Sequence, residues 1–202
     1  VVQVIDVPRV LRAAERAHAV VKFTVGSGEI IAEGATIAVI RGQAEAELER
    51  EVLRAFIVGE ERTFEQDPAL AIRLLADIVL RGLSPAVNDP TTAVQALDTM
   101  DGLLRVLATR DLSVEHVTGR DGAVRVELVL PTWDDYVAVA LDEIIALPAP
   151  SPNVSRRILR LLDELALITL PSRQSALEAR RRQIHDPART PDPPSAEHHA
   201  GI

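Results

Sequence analysis

Apolar residues along this chain alternate between two repeats, one suited to strands and one to helices. Val1 to Ile5 is nearly continuous and predicts a short strand. Asp6 can cap a helix running to about His18, with Pro8 in its first turn and Val10, Leu11 and Ala14 on one face. From Val20 to Ile40 the period shortens. Val20, Val21, Phe23 and Val25 favour a strand, Gly26-Ser27-Gly28 a turn, Ile30-Ile31 more extended chain, Glu33-Gly34 a second turn, and Thr36 to Ile40 another strand.

Helical spacing returns at Glu45 to Ile57, with Leu48, Val52, Ala55 and Phe56 on one face and Gly59 as a stop. Asp67 caps the next helix and Pro68 opens it; it runs to about Arg81, where Gly82 ends it. Asn88-Asp89-Pro90 repeats this device for a helix to about Thr109. Leu112 to Leu130 reads as a hairpin turning at Arg120-Asp121-Gly122. Thr132 and Asp135 form a variant capping box ahead of the stripe Val137, Ala140, Leu141, Ile144 and Ile145. Pro152 opens a helix that sets Val154, Ile158, Leu161, Leu162 and Leu165 against Arg156, Arg157 and Arg160, and Pro171 opens a more polar one to about Ile184. The predicted fold is therefore α+β: two β regions, 20–40 and 112–130, with about seven helices in one domain over 1–184. The tail 185–202, rich in Pro, Asp and Ala without apolar period, predicts disorder.

Composition narrows the function classes. The 202 residues are 47% apolar, but they include only one Trp, one Tyr and three Phe, so Leu, Ile, Val and Ala must build the core. Few rings and a net charge of −8 disfavour a nucleic-acid partner. There is no cysteine, so disulfides and thiolate metal sites are excluded. No apolar run approaches the roughly 18 residues of a membrane-spanning helix. The start, Val-Val-Gln-Val-Ile without Met, reads as a fragment of something longer.

Glycine spacing rules out one common cofactor loop. No third glycine follows Gly26-x-Gly28 and no helix follows it, so it is not a dinucleotide motif. Gly28, Ile31, Gly34, Ile37 and Ile40 are instead spaced like one half of a lipoyl- or biotinyl-type barrel hairpin. The only lysine, Lys22, falls in a predicted strand rather than at a hairpin tip, so no attached cofactor is expected.

Three stretches carry a family resemblance: VVQVIDVPRVLRAAERAHAVV at the start, the hairpin GSGEIIAEGATIAVI, and the long signature GEERTFEQDPALAIRLLADIVLRGLSPAVNDPTTAVQALD. From Val1 to roughly Ile184 the chain resembles the soluble part of the domain of unknown function 2254 family, uncharacterised bacterial membrane proteins. The resemblance implies a parent protein in the bacterial plasma (inner) membrane, this region being soluble and on the cytoplasmic side. Family members carry N-terminal transmembrane helices that this sequence lacks, so the implied membrane partnership runs through a missing segment. No activity comes with the resemblance.

The residues that could carry chemistry cluster in the signature. Arg73, Asp77 and Arg81 form one polar column on an apolar helix, spaced for neighbours to touch. Asp77, among Leu70, Leu74, Leu75, Ile78 and Val79, is expected to be buried and paired. The column reads either as an ion network that fixes the helix or as a pocket. In the pocket reading the arginines bind an anion at the next helix start, helped by Thr91 and Thr92 and opposed by Asp89. Asp67, Asp77, Asn88 and Asp89 offer oxygen ligands for Mg²⁺ or Ca²⁺, but their spacing matches no known loop, and no metal is expected.

His18, His116, His185, His198 and His199 form no i, i+4 zinc pair. Ser84 precedes Pro85 and lacks nucleophile-elbow glycines, so no catalytic residue is assigned. Arg180-Arg181-Arg182 reads as a solvated helix end, with lipid headgroups as its other possible contact. The functional expectation is a non-enzymatic domain of a membrane protein serving assembly, gating or ligand sensing, with a homo-oligomer as a possible partner. The alternative is a small-ligand, anion or metal site, enzymatic or not, on Arg73, Asp77, Arg81, Ser84, Asn88, Asp89, Thr91 and Thr92.

Overall fold

The computed structural model describes residues 1–42, 46–147 and 151–185. The expected disorder of the tail falls almost wholly outside them; His185 is the last described residue and is helical. The architecture is α+β, as the pattern predicts, with seven α-helices and two small sheets among the described residues. The chain forms two compact units where the sequence reading treated 1–184 as one. The first is Val1–Leu74 with Arg110–Tyr136, and the second is Leu75–Thr109 with the residues from Val137 onward.

In the first unit, β1 (Val2–Ile5) leads into α1 (Val7–Arg16), whose N-cap Asp6 accepts the Arg9 amide at 3.0 Å. β2 (Val20–Phe23) pairs antiparallel with β3 (Ala38–Arg41), placing Val20 opposite Arg41 and Phe23 opposite Ala38. β2 also pairs in parallel with β6 (Val124–Glu127), which pairs antiparallel with β5 (His116–Thr118). The sheet order is β3-β2-β6-β5, so the two predicted β regions merge into one sheet. Both hairpins are shorter than their apolar spans: neither Val25 nor Ile30-Ile31 continues a strand.

α2 (Ala46–Ala55) ends two residues earlier than the spacing predicts, and β4 (Phe56–Val58) pairs antiparallel with β1. The β-branched pair Ile57-Val58 favours extended chain, and the free edge of β1 supplies the partner. Helices α1 and α2 cover a core of Val2, Ile5, Val10, Leu48, Val52, Val21, Phe23 and Val126. Phe23 meets Phe56 edge to face at 5.4 Å. Burying each such side chain is worth about 1.5–3 kcal/mol.

The start of α3 (Pro68–Gly82) is tied to this unit. Asp67 caps it by accepting the Leu70 amide at 3.1 Å and binds the Arg62 guanidinium at 2.7 Å. Gly28 sits at φ +87, and a Cβ there would run into the Asp67 carboxylate and Arg62. The predicted capping box also forms: the Thr132 amide donates to Asp135 Oδ2 at 2.7 Å and the Asp135 amide to Thr132 Oγ1 at 3.2 Å, ahead of α5 (Trp133–Ile145).

In the second unit, α4 (Pro90–Ala108) and α6 (Pro152–Ala166) lie side by side, with α7 (Gln174–His185) against α6. Three salt bridges set the direction of α4 and α6. Asp98 and Asp101 meet Arg157, and Arg105 meets Glu164. Position rises along both helices together, so they run parallel, with both N-termini at one end. The predicted α6 stripe, Val154, Ile158, Leu161, Leu162 and Leu165, is buried, as are Leu97, Met100 and Leu104 of α4. Arg180 of α7 grips Asp142 of α5 through two bonds, at 2.8 and 3.1 Å.

Candidate functional site

The charged column on α3 does not form the buried centre expected of it. Arg73 is half-buried, while Asp77 and Arg81 are exposed, together with Leu74 and Ile78. Ile72, Ala76, Val79 and Gly82 take the buried face instead. Apolar residues all round a helix do not by themselves bury every face, and here Asp77 shares the open face with two large aliphatic side chains.

The turn between α3 and α4 gathers the rest of the predicted set. Ser84 Oγ donates to the Arg81 carbonyl at 2.8 Å, a helix-ending role for that hydroxyl. Asn88 adopts φ +46 and its amide donates to the Ser84 carbonyl at 2.8 Å. Asp89 caps α4, accepting the Thr91 and Thr92 amides at 3.1 Å each and the Thr92 hydroxyl. The Thr92 hydroxyl and amide hold the Asp89 carboxyl below the usual carboxylate range. Asp89 thus takes the donors that the sequence reading had offered to an anion. Asp67, another of the carboxylates considered as metal ligands, is committed to its own cap and to Arg62. No group of three or more His, Cys, Asp or Glu side chains among the described residues could hold a metal ion.

A different concavity opens at the end where α4 and α6 begin. This groove of about 470 Å³ is lined by Pro90, Thr91, Val94 and Gln95 of α4 and by Asn153, Arg156, Arg157 and Arg160 of α6. Its volume falls in the range of about 300–1,000 Å³ usual for small-molecule sites. Arg156 is exposed and leans on its own helix start, with Nη2 donating to Asn153 Oδ1 at 2.6 Å. Arg160 is exposed and makes no ion pair among the described residues. The N-cap of α6, Ser151, makes no side-chain capping bond, in contrast to Asp89 on α4.

Arg157 forms the wall's fixed part. Its side chain is 14% exposed and reaches Asp98 at 2.5 Å and Asp101 at 2.8 Å. Burial works against its charge, but the bonds to Asp98 and Asp101 more than offset this and raise its pKa above the ordinary guanidinium value. Its Nη1 is buried without a hydrogen-bond acceptor among the described residues. Asp101 passes the network on to Arg105 at 2.9 Å, and Arg105 to Glu164 at 2.6 Å. The chemistry available is that of an anion site. Two exposed guanidiniums and the N-terminus of α6, whose N-cap Ser151 makes no side-chain bond, converge there, while Asp89 occupies the N-terminus of α4.

Of the predicted residues, only Thr91 lines this groove; Arg73, Asp77, Arg81, Ser84, Asn88, Asp89 and Thr92 do not. The missed residues were visible as the polar face of the Pro152 helix. Three arginines at i, i+1 and i+4 in its first turns were the available signal. Nothing in the sequence said that α4 would run alongside in the same direction.

No helix among the described residues is long and apolar enough to cross a membrane. The chain belongs to the family described as "Predicted membrane protein (DUF2254)", whose family profile matches residues 1–164. Uncharacterized proteins of Mycobacterium tuberculosis and Mycobacterium bovis are similar to it, each 35% identical over 127 residues, covering 62% of this chain and 24% of the relative. The chain therefore spans about a quarter of the length of these curated relatives. No solved structure matches it.

Proposed function

We propose that this chain is the ligand-sensing part of a bacterial membrane protein and works by binding an anion in the α4–α6 groove rather than by catalysis. One observation carries this reading. The groove wall holds two exposed arginines, Arg156 and Arg160, beside the largely buried Arg157 that Asp98 and Asp101 hold in place. A bound oxyanion would bridge Arg156 and Arg160. The polar groove residues, Thr91, Gln95, Asn153 and the three arginines, can donate or carry positive charge, a set that holds a charged group in place without asking it to react. This reading keeps the region outside the bilayer and on its cytoplasmic side, as the family resemblance implies.

Calorimetric titration of the chain with inorganic pyrophosphate tests it. Hydrogen bonds to charged groups are worth about 1.5–3 kcal/mol each. Arg156→Ala/Arg160→Ala should therefore weaken binding by at least tenfold while leaving the circular dichroism spectrum unchanged. At a ligand concentration tenfold above Kd, the parent should gain about 1.4 kcal/mol of stability. No heat of binding in the parent, or equal binding by the double variant, would overturn the assignment.

A further inference from the structure

The segment that leads into the groove adds a second kind of surface. Between α3 and α4, Pro85, Ala86 and Val87 are exposed, Val87 by 53%. This is a held turn rather than a loose loop. The Val87 and Asn88 amides donate to the Ser84 carbonyl at 3.1 and 2.8 Å, and the Asp89 amide to the Gly82 carbonyl at 2.7 Å. Val87 lies only three residues before Pro90, the first groove residue, so chain connectivity keeps this apolar turn at the groove end of α4. An exposed apolar turn and a groove that holds exposed arginines thus lie at the same end of α4, with the Asp89 cap between them in sequence.

We infer that the anion bound in the groove is the phosphate of an anionic phospholipid headgroup, with the Pro85–Val87 turn entering the interface beside it. This rests on the proposed anion-binding function and names its ligand class. Surface-binding proteins combine these two contributions: apolar side chains at the acyl boundary and arginines against the anionic headgroup layer. The charge balance makes the attachment local. The chain carries −8 overall and is repelled by an anionic surface except where a basic end faces it. Membership of a predicted membrane-protein family places such a surface within reach.

Co-sedimentation of the full chain with vesicles tests the inference. The vesicles are phosphatidylcholine alone or phosphatidylcholine doped with phosphatidylglycerol, and pyrophosphate titration runs in parallel. The expected result is binding to the doped vesicles only, competed by pyrophosphate. Each arginine near an anionic surface is worth about fivefold in partitioning, so Arg156→Ala/Arg160→Ala should lose about 25-fold. Val87→Asp, at an exposed position, should lose vesicle binding and keep pyrophosphate binding. Pyrophosphate binding without vesicle binding would overturn the lipid assignment and leave the anion site standing. Loss of both in the parent would overturn both. Vesicle binding that Val87→Asp leaves untouched would remove the apolar turn from the interface.

Discussion

Asp101→Ala is the sharpest perturbation of the second unit. Asp101 has a side chain 8% exposed and bridges Arg105 at 2.9 Å and Arg157 at 2.8 Å. Removing one member of a fully buried pair costs about 3–5 kcal/mol, because the partner's charge is left without compensation. Here the loss is partial: Arg157 keeps Asp98, which is 57% exposed, and Arg105 keeps Glu164. The expected cost lies below the buried value and above the 0–1 kcal/mol of a surface pair, at about 2–3 kcal/mol. For a chain of this size that is a drop in melting temperature of roughly 5–10 °C. Asp98→Ala, by contrast, removes an exposed carboxylate and should cost about 0–1 kcal/mol. Urea unfolding followed by circular dichroism measures both, and a double-mutant cycle between Asp101→Ala and Arg157→Ala should show a coupling of about 1 kcal/mol or more. Equal, small costs for Asp101→Ala and Asp98→Ala would refute the claim that the Asp101 carboxylate is the buried link of this network.

Asp77→Ala, on the exposed face of α3, should cost no more than about 1 kcal/mol in urea unfolding, and a loss of several kcal/mol would restore the buried-column reading. Gly28→Ala and Gly34→Ala both place a side chain at positive φ, but only Gly28 faces Asp67 and Arg62, while Gly34 has nothing near it. The left-handed strain common to both is about 1–2 kcal/mol, so thermal melts should show Gly28→Ala losing clearly more, and equal losses would remove the tie between that turn and the α3 cap. Asp89 has a depressed pKa, so its cap stabilises the fold above the usual carboxylate range and that contribution is lost as pH falls through the lowered folded value. The melting-temperature difference between the parent and Asp89→Asn should therefore be constant near neutral pH and shrink in acid; a difference that instead grew in acid would contradict the cap's charge.

Much of the fold was legible because local chemistry dictates it. Asp6, Asp67 and Asp89 each precede or adjoin a proline and each caps the helix expected of it, since a short carboxylate satisfies the free amides of a first turn wherever it occurs. The α6 stripe was equally clear, because an amphipathic period needs only one core to face. The switch at Phe56 was not legible: the helical spacing of Leu48, Val52 and Ala55 continues onto Phe56, and only pairing with β1 pulls that residue into a strand. The parallel β2–β6 pair was hidden for the same reason, since its two strands lie some hundred residues apart in sequence.

The site divides along the same line. The sequence by itself determined the family, the α+β class, the helix starts and the capping roles of Asp67, Asp89 and Thr132, all set by neighbours a few residues away. Tertiary structure alone decided which charges matter. It left Asp77 and Arg81 on an open face of α3 and gathered Asp98, Arg157, Asp101, Arg105 and Glu164 into one network. It also turned Arg156 and Arg160 from a polar helix face into the wall of a groove. The reason is physical. A charge's energy depends on its burial and on partners brought from distant parts of the chain, and neither is written in the spacing of residues along one helix.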